Sequence, residues 1–502
     1  MSFPLGAQHH ELVNSNEPSL ESDIPSIQSA VSETSKHLSF LDSEILGLRK
    51  RLKRLEEEHA AVHTYRMQNI IILSPLRRMP SEVLGNFFLC TLPLAGDAMD
   101  QGMFDVGSSP WVLTHISDHW RALAISNPAL WSPIAINYSL SSRYPLPLLD
   151  TQITRARSLK IHFYGSEEFD SRPQITVFRF LAEHCFLWEE LVISLTSDLV
   201  PILDTLRDCV PSLRRLRIKW DDVKSLAAVQ STNAFRTAPA LLDVGIYNQY
   251  RLAPIFFPMW QLTRYQFDGP WEIHQNTLSM AQNLVEVHIN ICFEEGPWPE
   301  ADTIIALPHL QRLYVSDIGV LNYIRTPALQ ELACYTYNEP HLLLHLKSFL
   351  VCSACNLRRL CFRGPPDSQH VIEILQKHPF ITELAIITSD PEAELDALHE
   401  ATNTLISRLT VSNSGEGMVV SPQLSAIDFG CKDVTCIDHA LYLEMLKSRW
   451  SAEDCALKSS TLVADFGPGP DGLTLDGLHS LRQDGLDLTL LHGTRGSEVM
   501  DD

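Results

Sequence analysis

The sequence contains no uninterrupted run of about 18 apolar residues, the length that a membrane-spanning helix needs. Its first residues also lack the basic segment and apolar run of a secretory signal. The 11 cysteines are an odd number, and they are scattered without the spacing of a disulfide framework. We therefore expect a protein of the reducing cytosol or the nucleus that does not bind membranes.

Positive charge is scarce. The chain has 39 lysines and arginines against 61 aspartates and glutamates, so its formal net charge is −22. Phosphate backbones and anionic membranes both require a positive surface, and the composition therefore argues against nucleic acid as the partner.

Signatures of catalysis are missing as well. The sequence has no G-x-S-x-G, H-E-x-x-H or kinase motif, and its Gly-rich stretch at 467–472 is not followed by GK[ST] and is interpreted as a loop. Cys352-x-x-Cys355, with Cys361 nearby, lacks the second pair of ligands that a zinc site needs, so buried repeat cysteines are the simpler interpretation. We expect no enzyme activity, no cofactor and no metal.

A heptad repeat follows a polar, Ser- and Glu-rich segment at 1–30 that we predict to be a disordered tail. Apolar positions then recur at alternating spacings of three and four residues, at Leu38, Leu41, Ile45, Leu48, Leu52, Leu55, His59 and Val62. This spacing is that of the a and d positions of a coiled coil, which we place at 31–66.

The flanking charges of the heptads favour a homodimer. In a parallel pair, two sets of opposite charges face each other, Glu44 with Arg49 and Arg51 with Glu56. The alternative is a single amphipathic helix folded back on the rest of the chain, since His59 is polar and Gly47 weakens a helix.

Three short helical patterns lie within 74–135. Pro80 and Glu82 begin the first, whose apolar positions are Val83, Leu84, Phe87 and Phe88. After a loop, a second helical face consists of Val112, Ile116, Trp120, Leu123 and Ala124, and Asn127-Pro128 ends it before a short third turn at 129–132. So small a helical unit has a marginal core, which is typical of a docking module that leans on a partner or a larger neighbour.

From residue 150 to 492 the chain repeats an apolar-x-x-apolar-x-apolar pattern. The clear copies begin at 213, 284, 310, 329, 357 and 381, and weaker ones begin at Ala156, Trp188, Leu241, Leu262, Ile406 and Leu424. Their mean spacing of about 24 residues lies within the range of leucine-rich repeats. The fourth and sixth positions should point inward from a short parallel strand, and each unit needs its neighbour to cover them.

Two observations qualify the repeat prediction. The ninth position, where regular leucine-rich repeats carry Asn or Cys, is variable here, so the turns are expected to be irregular. An α-helical solenoid is the alternative, although its units are longer.

The outward positions of the strands should line the concave face of the arc. Candidate target-binding residues on this face are Arg215, Arg217, Lys219, Tyr247, His288, Arg312, Tyr314, Tyr335, Arg359 and Arg363. Tyr and Arg are enriched at binding hot spots, and so many arginines in an acidic protein favour an acidic or phosphorylated protein target. The alternative is a solvated sheet face without a partner.

The segment 74–135 resembles the F-box, the adaptor-docking module of cullin-RING ubiquitin ligases. Met79-Pro80 is similar to its Leu-Pro start, Phe87-Phe88 stands in place of Ile-Phe, and Trp120-Arg121-Ala122 and 128–131 are similar to its later motifs. The loop at 91–110 is longer than in compact F-boxes. The whole layout of coil, F-box and repeats is similar to the expanded F-box families of mushroom-forming fungi.

This resemblance implies a mixed α/β chain with an N-terminal coiled-coil helix, a small three-helix F-box-like module and an irregular leucine-rich-repeat solenoid, followed by a tail at 493–502. It implies a non-catalytic substrate receptor that binds a Skp-type adaptor, and a cullin through it. The residues expected to bind the adaptor are Pro80, Val83, Leu84, Phe87, Trp120, Leu130 and Trp131. A ligase-independent scaffold that uses the coil and the repeats is the second hypothesis.

Overall fold

A computed structural model describes residues 18–93, 106–140, 144–227, 231–248, 252–292, 298, 304–336, 342–364, 366–388, 395–411, 420–433, 436–467 and 469–492. The tail predicted at 493–502 lies outside the described residues, and so do residues 1–17 of the tail predicted at 1–30. The chain divides into two compact units, Met1–Phe87 and Phe88–Asp502. The module predicted at 74–135 spans this division, which falls inside a helix.

The first unit contains one long helix, α1, which runs from Ile24 to Leu73. A 3₁₀ turn, Pro75–Arg77, follows it, and helix α2, Ser81–Cys90, begins after Pro80. Residues 24–30, which the sequence analysis assigned to a disordered tail, are helical. The physical reason is that Ile24, Ile27 and Val31 continue the heptad spacing toward the N-terminus, which the polar composition of this stretch obscures.

The second unit alternates helices and strands. Its α-helices are α3 Leu113–Ile116, α4 Asp118–Ser126, α5 Leu146–Arg155, α6 Ser171–Ala182, α7 Val200–Leu203, α8 Val223–Ala227, α9 Trp271–Met280, α10 Leu342–Ser353, α11 Ser368–Lys377, α12 Leu395–Leu409, α13 His439–Ser451 and α14 Gly472–Gln483. Its strands are β1 Pro133–Asn137, β2 Leu159–Tyr164, β3 Trp188–Leu195, β4 Arg215–Trp220, β5 Asp243–Tyr247, β6 Arg264–Gly269, β7 Glu286–Ile291, β8 Ile305–Ala306, β9 Arg312–Val315, β10 Ile324–Arg325, β11 Glu331–Tyr335, β12 Arg359–Arg363, β13 Glu383–Thr388, β14 Ala426–Asp433, β15 Ser459–Phe466 and β16 Asp487–His492.

Fourteen of these strands form one sheet, and every neighbouring pair in it is parallel. Their order across the sheet is their order along the chain, except that β8 and β10 leave it to pair with each other. The mixed α/β class, the long N-terminal helix and the large parallel sheet are as predicted.

The core of the second unit lies on one face of the sheet. Its register aligns apolar side chains into rows, one of which consists of Leu191, Leu216, Val244, Tyr265, Val287, Leu313, Leu332, Leu360, Leu384 and Ile427. All ten are at most 2% exposed. Each such side chain contributes about 1.5–3 kcal/mol once its neighbours cover it, so the rows hold successive strands together.

The connecting helices cover this core with one apolar face each. In α11, for example, Val371, Ile372, Ile374 and Leu375 are buried. Asp367 ends the preceding loop, and its carboxylate accepts a hydrogen bond from the backbone N–H of His370 at 3.0 Å, which caps the helix. Among the described residues, no helix combines the length and the apolar character of a membrane span.

A strand begins within three residues of eleven of the twelve predicted repeat starts. The exception is Ile406, which lies in α12, so the repeat predicted there is wrong. Residues 406–411 match the apolar-x-x-apolar-x-apolar pattern although most of them are helical. In contrast, β1, β15 and β16 lie at positions where no repeat was predicted.

Candidate functional site

Helix α2 divides its four predicted apolar residues between two environments. Leu84 and Phe88 are each 1% exposed, whereas Val83 and Phe87 are 43% and 54% exposed. Val83 and Phe87 are four residues apart and therefore lie on the same side of the helix. Pro80, immediately before the helix, is exposed too. Val83, Phe87 and Pro80 present an apolar surface, whereas the side chain of Leu84 does not.

The second helical segment, predicted as one helix face from Val112 to Ala124, consists of two helices, α3 and α4. Ser117 separates them because its backbone is extended and its hydroxyl accepts a hydrogen bond from the backbone N–H of Trp120. The indole ring of Trp120 is half-buried and packs against Phe88, with 4.8 Å between the ring centroids. Trp120 therefore has a structural contact as well as an accessible edge.

The closing segment of the predicted module lies in the interior. Leu130 and Trp131 are 0% exposed, and the indole N–H of Trp131 donates to the carbonyl of Ala124 at 2.8 Å. Trp111 packs edge-on against Trp131 at 5.0 Å, and the guanidinium of Arg155 lies 4.4 Å from the Trp131 ring centroid. Leu130 and Trp131 thus anchor the helices to the start of the sheet, and a role in adaptor binding would be indirect.

The outward face of the sheet carries all ten predicted target-binding residues. They lie on β4, β5, β7, β9, β11 and β12, at positions that alternate with the buried ones. The structure therefore places them on one face, as the alternation of the pattern predicts.

This face is not simply basic. Across ten neighbouring strands, one outward row alternates in charge. We name it the charge row; it consists of Lys160, Glu190, Arg215, Asp243, Arg264, Glu286, Arg312, Glu331, Arg359 and Glu383. Its five cations and five carboxylates cancel. Neighbouring strands are about 4.8 Å apart, so each charge between the two end members, Lys160 and Glu383, faces an opposite charge on both sides.

The middle of the charge row is a continuous chain of ion pairs. The distances between charged atoms are 3.5 Å for Arg215–Glu190, 3.0 Å for Arg215–Asp243, 3.8 Å for Arg264–Asp243, 2.7 Å for Arg264–Glu286 and 2.8 Å for Arg312–Glu286. The carboxylates are more deeply placed than the arginines: the side chain of Asp243 is 9% exposed and that of Arg215 is 44% exposed. The guanidinium groups therefore lie over the acids.

The pKa values of two glutamates in the row reflect this arrangement. The hydrogen bond between His162 and Glu190 lowers the pKa of that carboxyl and, with the charge of Arg215, outweighs its burial. Burial raises the pKa of Glu286, but the hydrogen bonds and charges of Arg264 and Arg312 prevail and hold it below its ordinary value. Both acids therefore remain ionised at neutral pH.

Most of the predicted target-binding arginines are already paired with carboxylates, so their number alone does not favour an acidic target. Arg215, Arg217, Arg312 and Arg359 each have a carboxylate within 4 Å, and Arg217 lies 2.6 Å from Asp243. The prediction of an acidic target depended on the number of arginines alone, whereas acids of neighbouring strands lie beside them. The third position of successive repeat copies already alternates between Arg and an acidic residue, and this was the signal that could have revealed the row.

Two predicted cations have aromatic partners instead. The ammonium of Lys219 lies 5.2 Å from the ring centroid of Tyr164, and the guanidinium of Arg363 lies 5.2 Å from that of Tyr314. Within the described part of the chain, neither forms an ion pair with a carboxylate, and Nε of Arg363 is buried without a hydrogen-bond partner. These cations retain charge that a ligand could neutralise.

The remaining predicted residues are His288, Tyr247 and Tyr335. The ring of His288 packs against Tyr314 at 5.6 Å, and burial lowers the pKa of the imidazole despite the nearby Glu286. The hydroxyl of Tyr247 donates to Gln266 at 3.0 Å. Tyr335 is half-buried and aligns in register with Arg363. Aromatic and cationic groups therefore share the outward face of β7, β9, β11 and β12.

No described group of three or more His, Cys, Asp or Glu side chains is arranged to hold a metal ion. Cys352 is exposed, whereas Cys355 and Cys361 are half-buried. Cys361 projects from the outward face of β12, and burial raises the pKa of its thiol.

No protein-family model matches this sequence, and no curated protein matches it.

Proposed function

We propose that this chain is the non-catalytic substrate-receptor subunit of an SCF-type cullin-RING ubiquitin ligase. In this proposal residues 74–135 act as the F-box and bind a Skp-type adaptor, while the parallel strands form an irregular leucine-rich-repeat solenoid that binds the target. The mechanism is proximity, because a bound target is held at high effective concentration near the ubiquitin carrier.

The observation that carries the proposal is the exposed pair Val83 and Phe87. Exposed large apolar side chains on a helix are costly unless a partner covers them, and here they follow the Met79-Pro80 motif directly. Pro80 is exposed beside them. In contrast, Leu84, Leu130 and Trp131 are buried, so we assign the direct contacts to Pro80, Val83 and Phe87.

The outward face of the sheet is the proposed target surface. Because the charge row neutralises itself, we assign recognition of an acidic or phosphorylated group to Arg363, with Tyr314 and Tyr335 as its neighbours. A phosphate or carboxylate would neutralise the guanidinium, which lies over Tyr314 and forms no ion pair with a carboxylate of the described chain.

Purified Skp-type adaptor tests the first half of the proposal. We expect the wild-type chain to capture it, and Val83→Asp/Phe87→Asp to lose capture while remaining folded, since both side chains are already exposed. Phe186→Asp is the matched control, because Phe186 is 54% exposed like Phe87 but lies outside the predicted module.

Failure of the wild-type chain to capture the adaptor would instead favour a ligase-independent scaffold. Capture that survives Val83→Asp/Phe87→Asp would contradict the assigned surface.

A further inference from the structure

The apolar stripe of helix α1 begins earlier than the heptad positions predicted at 38–62. With Leu38 at position a, the stripe continues toward the N-terminus. The a positions are Ile24, Val31, Leu38, Ile45, Leu52 and His59, and the d positions are Ile27, Thr34, Leu41, Leu48, Leu55 and Val62. Gly47, which weakened the prediction, falls at the outer position c, and a Cβ added there would contact nothing. The stripe is therefore continuous across the helix-weakening residue.

This stripe is exposed to solvent in the single chain. Leu38, Leu48 and Leu52 are 61%, 65% and 57% exposed, and Ile45 and Leu55 are 46% and 49% exposed. Most of the stability of a helix comes from packing of its apolar face, and α1 has 50 residues. Burial of these aliphatic positions along the helix would therefore stabilise it.

We propose that the partner is a second copy of this chain, and that the two α1 helices form a parallel, in-register coiled coil. Leu at the d positions 41, 48 and 55 with Ile or Val at several a positions favours two strands. Opposite charges also meet across the interface, Glu44 with Arg49 and Arg51 with Glu56 of the second copy.

The N-terminal turns of α1 determine the orientation. An antiparallel pair centred between residues 46 and 47 would also match charges, because Glu44 would then face Arg51. However, it would place Ile27 against Arg66 and Ile24 against Asn69. In a parallel pair, Ile24 and Ile27 face their own copies, so this orientation buries the apolar start of the helix, which the charge-matched antiparallel pair sets against polar residues.

Two charge-exchanged variants distinguish the orientations by analytical ultracentrifugation of the full chain. In a parallel dimer, Glu44→Lys/Arg49→Glu restores the facing pair, and we expect its dissociation constant to stay within about twofold of wild type. Glu44→Lys/Arg51→Glu places like charges opposite each other, and we expect dimers at least about tenfold weaker. Lys50→Glu, at the outer position f, is the charge control and should leave the dissociation constant unchanged.

A second pair of variants locates the interface. Leu48→Asp, at position d, should leave the chain monomeric, whereas Leu46→Asp, at position b and 55% exposed, should not. The proposal is overturned if the wild-type chain is a monomer at tens of micromolar or if dimers persist in Leu48→Asp. It is also overturned if Glu44→Lys/Arg51→Glu dimerises like wild type while Glu44→Lys/Arg49→Glu dimerises more weakly. No adaptor is needed for these measurements, so they succeed or fail independently of the proposed function.

Discussion

The side chain of Arg217 lies across Gly245 of the neighbouring strand. The two residues are in register in β4 and β5, and a Cβ added at Gly245 would lie 2.8 Å from Nε of Arg217 and closer still to Cδ. The missing side chain therefore leaves the space through which Arg217 reaches Asp243.

We predict that Gly245→Ala changes the free energy of unfolding in opposite directions with and without the side chain of Arg217. In the wild-type background, the added methyl displaces the guanidinium from Asp243 and should lower the free energy of unfolding by about 1 kcal/mol. In an Arg217→Ala background, the same change should raise it by about 0.5–1 kcal/mol, because alanine loses less backbone entropy in a strand than glycine. Urea denaturation of the four chains provides the measurement. Equal destabilisation in both backgrounds would show that Arg217 does not depend on this space.

The charge row should make stability depend on acidic pH. The pKa of Glu286 is lowered in the folded chain, so its contribution is present above the unfolded pKa of about 4.3 and is lost as the pH falls through the folded value. Arg264→Gln removes one partner of Asp243 and of Glu286, and we expect it to cost about 1 kcal/mol at pH 7 and less at pH 3. Arg172→Gln, an exposed arginine of α6, is the control and should cost little at either pH. A loss for Arg264→Gln that is as large at pH 3 as at pH 7 would contradict the ion-pair account.

His274 should oppose folding in mild acid. It is 0% exposed in α9, its ring lies edge-on to Tyr265 and Phe267, and burial lowers its pKa to about 4. Between pH 6.5 and 4 the unfolded chain binds a proton that the folded chain does not. We therefore expect His274 to remove about 2 kcal/mol of stability between pH 8 and pH 5.

Replacement by Gln isolates this contribution of His274. Urea denaturation at pH 8 and pH 5 should show a smaller loss in His274→Gln than in wild type, while His119→Gln, at an exposed position of α4, keeps the wild-type loss. The same loss in all three chains would assign the effect to other groups.

Target binding should depend on Arg363 more than on the charge row. In proximity labelling followed by mass spectrometry, proteins labelled by the wild-type chain should no longer be labelled by Arg363→Glu. This variant reverses the charge of a guanidinium that forms no ion pair with a described carboxylate. The same proteins should remain with Val83→Asp/Phe87→Asp, which alters only the proposed adaptor surface. Labelling that is unchanged by Arg363→Glu would move the target site elsewhere.

Strand positions could be predicted from the sequence because the inward positions of each copy are aliphatic and their spacing is local. Leu216 and Leu313, for example, belong to clear copies and lie in aligned strands. The break at Ser117 could not be predicted in this way, because the apolar spacing continues through it while its hydroxyl caps the next helix.

The candidate surfaces were harder to predict than the strands. Whether Leu84 or Val83 faces solvent depends on packing that the period of a helix does not define, since both belong to the same apolar stripe. The pairing of Arg264 with Asp243 and Glu286 depends on the register of three successive strands, which only the alternation of Arg and acidic residues at the third repeat position indicates. Recognition of the F-box-like motifs from sequence stays a prediction.

The order of the strands has a practical consequence for mapping a bound target. Because the strands follow one another across the sheet in chain order, residue number increases steadily across its width. Each further strand in a binding site therefore widens that site by about 4.8 Å. A compact ligand will therefore protect a few outward residues from each of several consecutive chain segments, so deuterium exchange on ordinary peptides can locate it and estimate its breadth without any structure of the complex.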